Sequence, residues 1–212
     1  MLKQENKESM RSLYRDWMVS ILKRMVNRPE TISSVNALLW GIAWLIIGAI
    51  VAWYFKFVPT SMVGYTTSGY VPLIWHVAIM FVMWVSFGVV YFAFGVMRNR
   101  QAGVVDLFGR MLYAHWPVTL LLVPGMIMNR VAYATFMNDA SVAFKLYPLQ
   151  SVVMAIFVVV IALWTLYWGY LAFRRATERG GIVTLVCYII ATPLAAYLSQ
   201  MVLEALRKGM SW

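Results

Sequence analysis

The chain has two histidines, one cysteine and eight acidic residues among 212, so any chemistry it performs has few side chains to draw on. Asp106 and Arg110 stand four apart with the acid first, a spacing that puts both on one helical face and suits an ion pair and the helix dipole. Such a pair either positions a helix start or contacts a partner or a lipid headgroup. Arg174, Arg175 and Arg179 follow an apolar run and form a basic cluster fit to bind anionic lipid, a partner, or both. His76 and His115 lie in apolar stretches, where an ionisable group costs about 2.5–3.5 kcal/mol on insertion scales and so stands out. For His76 a position near the end of a run leaves water or a backbone carbonyl as its expected partner. His115 precedes Pro117 by two residues, and the proline frees the Tyr113 carbonyl for a local imidazole or water contact. Pro117, Pro124 and Pro193 interrupt apolar runs and would act as hinges or line a path. No metal site is expected, because zinc wants three or four convergent His, Cys or carboxylate ligands. HExxH, GxSxG, CxxC and phosphate-binding glycine loops are all missing, so the reading is of a protein that is not an enzyme and holds no cofactor.

These residues need elements to hold them. With 62% apolar and 12% charged residues, against about 45–50% and 25% in soluble domains, the composition is that of an integral membrane protein. Crossing the hydrocarbon layer takes about 20 apolar residues, and five runs of that order occur: Val35 to Phe55, Pro72 to Met97, Met111 to Asn129, Leu149 to Phe173 and Ile182 to Leu203. The expected fold is all-α and polytopic, with five transmembrane helices. Before them, Met10, Leu13, Tyr14, Trp17, Ile21 and Met25 recur at helical spacing and predict an N-terminal amphipathic helix lying on the inner leaflet or against the bundle. The chain thus divides into a tail over 1–34, a transmembrane domain over 35–206 and a short end over 207–212. The tail is polar, so no cleavable signal is expected.

Of the 18 lysines and arginines, thirteen fall in the tail and in the connections around Arg98 to Arg110 and Arg174 to Arg179. The other five are Lys56, Arg130, Lys145, Arg207 and Lys208. By the positive-inside rule the N-terminus is cytoplasmic and, after five spans, the C-terminus is outside. The net charge of +10 therefore serves topology and lipid phosphates, and nucleic acid is not an expected partner. Gly41 and Gly48, and likewise Gly88 and Gly95, are spaced to let helices approach closely. Trp53, Tyr54, Trp168 and Tyr170 near span ends are read as an aromatic belt.

Three local patterns add a resemblance. "NRPE" at Asn27 to Glu30 shortly precedes the first span, "DLFGRMLYAHWPVTLLLVP" covers Asp106 to Pro124, and "LWTLYWGYLAFRRATERGG" covers Leu163 to Gly181. In these patterns, and in five closely spaced spans behind a cytoplasmic N-terminus, the chain resembles the Yip-domain family, membrane proteins named for interaction with Ypt/Rab GTPases. Its short tail is similar to bacterial members, which implies a bacterial inner membrane rather than a Golgi or ER membrane. The resemblance implies a non-enzymatic adaptor or organiser in membrane trafficking or assembly; from the residues themselves, the basic cytoplasmic face is the expected working surface. The expected partners are the lipid bilayer, anionic headgroups, and a membrane-protein partner or a second copy of the chain. The alternative expectation is a small oligomeric transporter or channel using the proline-broken third and fifth helices.

Overall fold

The structure is a computed structural model that describes residues 29–61, 64–67, 71–99, 102–127 and 130–209. The amphipathic helix expected over Met10 to Met25 lies outside the described residues. Four long helices form the frame: α1 (Ser34–Tyr54), α2 (Leu73–Arg98), α7 (Pro148–Ala176) and α8 (Ile182–Gly209). Each is long and apolar enough to cross a membrane, so the chain is a multi-pass membrane protein. Their bounds follow the apolar runs closely because a helix satisfies every backbone group within hydrocarbon. Local signals set the ends. The Ser33 hydroxyl accepts from the Asn36 amide to cap α1, and Pro148 opens α7 at a position where a missing N–H costs nothing.

The loops predicted between the spans are more ordered than the sequence suggested. β1 (Phe57–Ser61) and β2 (Gly64–Thr67) pair antiparallel, Phe57 opposite Thr67, beyond the end of α1. The connection between the third and fourth predicted spans contains α5 (Arg130–Asn138) and α6 (Ala140–Leu146). Asp139 caps α6 by accepting from the Ser141 and Val142 amides, and the Ser141 hydroxyl and Val142 amide hold its carboxyl below the usual carboxylate range.

The third apolar run departs most from expectation. In place of one helix over Met111 to Asn129 there is α3 (Val104–Ala114), a 3₁₀ segment (Trp116–Leu121) and α4 (Leu122–Ile127). Pro117 is the physical reason, since it has no N–H and its ring crowds the carbonyl four residues back. The His115 amide already turns to the Leu112 carbonyl at 3.2 Å, and the chain tightens into 3₁₀ geometry through Pro117. Pro124 sits early in α4, where the lost N–H is cheap. Pro193 does not break the last span as expected: α8 runs through it, with the ring on the exposed side.

This broken segment is wedged between α1 and α2. Gly41 and Gly48 receive Leu112 and Thr119, and Gly88 and Gly95 receive Phe108 and Leu107. A Cβ on Gly88 would lie 2.2 Å from the Phe108 ring, so both glycine pairs mark close approach, as their spacing predicts. Leu107 lies near the C-terminal end of α2 at Gly95, whereas Gly125 packs on Phe57 of the hairpin. The segment therefore runs from one end of the bundle to the other. On its far side Tyr113 stacks on Trp168 of α7, which also meets Trp116 edge-on. Trp168 is thus a buried core residue rather than part of a belt; Tyr54 is 70% exposed, as a belt residue would be.

Candidate functional site

At the end of the bundle where α1 and α3 begin, Arg110 is only 6% exposed. Its Nε donates to Asp106 Oδ1 at 2.6 Å, and one terminal nitrogen donates to the carbonyls of Pro29 and Ile32 at 2.6 and 2.5 Å. Asp106 Oδ1 also accepts from the Ser34 hydroxyl. The ion pair predicted from the four-residue spacing is present. The carbonyl partners, far away in sequence, make it a clamp that ties the turn before α1 to the first turns of α3. Nε and one terminal nitrogen of Arg110 are thus engaged inside the protein, and Asp106 serves the same clamp.

A second tie, missed in the sequence, holds the neighbouring corner. Arg98 Nε donates to Thr184 Oγ1 at 3.0 Å and Asn99 Nδ2 donates to the Thr177 carbonyl at 3.0 Å, joining the end of α2 to the first turn of α8 and to the turn after α7. Arg98 was visible only as one more charge in the count for topology.

Arg174, Arg175 and Arg179 remain exposed, and the structure brings them together. With Glu30, Thr31, Glu178, Gly180 and Gly181 they line a basin of about 730 Å³. Arg174 and Arg175 end α7, where cations favour the helix dipole. The buried Thr177 hydroxyl returns to the Phe173 carbonyl at 2.9 Å. Glu178 then takes a left-handed conformation with φ 50° and Gly181 one with φ 91°, which turns the chain so that Arg179 shares the basin with the α7 terminus. Three guanidinium groups beside two carboxylates give a basic site open to water, suited to bidentate contact with phosphate or carboxylate.

The remaining candidates are separate from this basin. His76 is buried, with Nδ1 3.2 Å from the Pro72 carbonyl and Nε2 3.1 Å from the Phe57 carbonyl, so it joins α2 to β1; backbone carbonyls are its partners, as the sequence allowed. His115 Nδ1 lies 2.6 Å from the Met111 carbonyl, the group its own amide abandoned on turning to Leu112, rather than from the Tyr113 carbonyl. Pro117 and Pro124 are buried and Pro193 is exposed. Among the described residues no three of His, Cys, Asp and Glu gather as metal ligands would.

Fold and site together define a multi-pass helical membrane protein with a basic basin at one end of its bundle. No protein-family model, no curated protein and no solved structure matches the chain.

Proposed function

We propose that this protein is a non-enzymatic membrane adaptor or organiser that recruits anionic groups, lipid headgroups first, through Arg174, Arg175 and Arg179. The observation that carries the reading is the basin itself: three exposed arginines from the α7 end and its turn, set against Glu30 and Thr31. The turn bearing those two residues is anchored by the buried Arg110. In this reading the broken segment from Val104 to Ile127 is a fifth crossing, and the predicted amphipathic helix joins the basic side. That side faces the cytoplasm by the distribution of Lys and Arg, with the C-terminus outside. The resemblance to Yip-domain proteins in its bacterial-like form supports the same class of role. A transport path through two proline-broken helices has less support, because α8 continues unbroken through Pro193.

The test uses the full chain in nanodiscs of phosphatidylcholine with and without phosphatidylglycerol, comparing wild type with the combined variant R174E/R175E/R179E by mass spectrometry of co-purified lipid and protein. Wild type should enrich the anionic lipid, and each removed charge should weaken that enrichment on the order of several-fold. Equal enrichment by a correctly inserted variant would reject the basin as the working surface.

A further inference from the structure

A chamber of about 110 Å³ lies between α1, α2 and the broken third segment. Leu45, Met83 and Phe87 belong to its apolar wall, and Pro59 and Tyr65 of the hairpin reach one end of it. Trp44, one of its wall residues, is ten residues from Ser34. At about 1.5 Å per residue that is some 15 Å along α1, or halfway through a hydrocarbon core of about 30 Å. The chamber is not sealed, since Leu45, Met83 and Trp84 in its wall are themselves only half-buried.

Three wall residues carry buried polar atoms with no hydrogen-bond partner among the described residues: His115 Nε2, Trp44 Nε1 and Trp116 Nε1. Trp44 and Trp116 stack with centroids 4.7 Å apart, so the two indoles form one side of the site. The state of the imidazole follows from its other bond. A carbonyl only accepts, so His115 Nδ1 carries the hydrogen that it donates to Met111. In the neutral ring Nε2 is then a lone pair. The wall thus combines one unused acceptor and two unused donors within apolar surroundings. Leaving such groups unpaired costs about 1–3 kcal/mol each, which a bound group of matching chemistry would recover.

We propose that the chamber binds a neutral, hydroxyl-bearing hydrocarbon from the bilayer. The hydroxyl hydrogen is donated to His115 Nε2, and its oxygen accepts from an indole N–H. The other head chemistries fit less well. A ketone, ester or ether brings no hydrogen for Nε2, a carboxylate sets lone pair against lone pair and carries a charge to bilayer mid-depth, and a plain hydrocarbon leaves all three atoms unpaired. Size sets the mode of binding. An engineered apolar cavity of about 150 Å³ accommodates benzene, so this smaller chamber holds the hydroxyl and the first few carbons. The tail then leaves past the half-buried wall into lipid. This site is independent of the basic basin.

The experiment exposes the full chain in nanodiscs to a diazirine-bearing hexadecanol or to its methyl ether, irradiates, and maps the labelled peptides. The alcohol should label Met80 to Gly88 and Met111 to Thr119 several-fold more than the ether does. Unlabelled hexadecanol, but not hexadecane, should compete. His115→Leu should remove the preference for alcohol while ether labelling persists. Because that variant also loses the Met111 bond, Trp44→Phe serves beside it, deleting one donor and reducing the preference in part. Equal labelling by alcohol and ether would overturn the proposal, as would labelling no greater than that of the outer face of α7, or the absence of labelling expected if the chamber holds only water.

Discussion

Helix α7 and the segment from Val104 to Ile127 both begin as apolar stretches long enough to cross a membrane, yet only one became a regular helix. In α7 just 22% of the apolar window is buried, and Leu149, Ile156, Val159 and Leu163 face outward. Its backbone must therefore satisfy itself completely, and 29 residues run without interruption. The other segment is enclosed by α1, α2 and α7, with Leu107, Met111, Tyr113, Leu121 and Leu122 buried. Neighbouring protein can there meet what the helix gives up. His115 takes the Met111 carbonyl, and Tyr133 of α5 donates to the Leu121 carbonyl at 3.0 Å. Exposure to lipid enforces regularity, while enclosure permits a 3₁₀ stretch and an imidazole within the segment.

If enclosure is the distinction, substitutions should cost far more in the broken segment than in α7. Arg110→Leu should have the largest effect. It leaves Asp106 and the carbonyls of Pro29 and Ile32 without their cation, and removing one partner of a buried pair costs about 3–5 kcal/mol. Reversible unfolding in bicelles with added SDS would measure it; a loss under about 1 kcal/mol would mean that the clamp opens to solvent. Leu107→Ala comes next. Leu107 is fully buried against Gly95, and without water as the driving force the cost is lost packing and a cavity, about 2–3 kcal/mol. Gly88→Val should cost about 1–3 kcal/mol by overpacking the Phe108 ring. Combining it with Phe108→Ala should restore part of that loss, which would separate a local clash from a general effect on α2.

The same contrast decides what could be read in advance. Val35 to Phe55 and Pro72 to Met97 were recognisable because lipid-facing helices keep an unbroken apolar signal, and Ser34–Tyr54 and Leu73–Arg98 differ from them by a residue at each end. The enclosed segment hid its form: Pro117 announced a disturbance, but whether the chain kinks or tightens depended on neighbours in α1, α2, α5 and α7, most of them far away in sequence. The hairpin went unseen because Pro59 within "FVPTS" argues against a strand. Of the basic end, the Asp106–Arg110 pair is a local spacing and was legible. Its carbonyl partners, 78 and 81 residues away, were not, and they turn a candidate ligand-binding residue into a clamp. The arginines of "RRATER" were visible as a cluster, whereas Glu30 and Thr31 joined them only through that clamp. For the chamber the sequence offered His115 and Pro117 but nothing that brought Trp44 alongside.

The smallest expected effect is the sharpest control. Leu163→Ala makes the same chemical change as Leu107→Ala, but Leu163 is 62% exposed on α7. In a bilayer the removed methyl groups are replaced by lipid carbons, so neither a cavity nor new contact with water results. The change in stability should be below about 0.5 kcal/mol. Because residue types and measurement are identical, the difference between the two alanine variants isolates enclosure from side-chain chemistry. A cost at Leu163 approaching that at Leu107 would mean that this face of α7 is covered in the membrane, and a second copy of the chain would then be sought by crosslinking through cysteines placed at Val159 and Leu163.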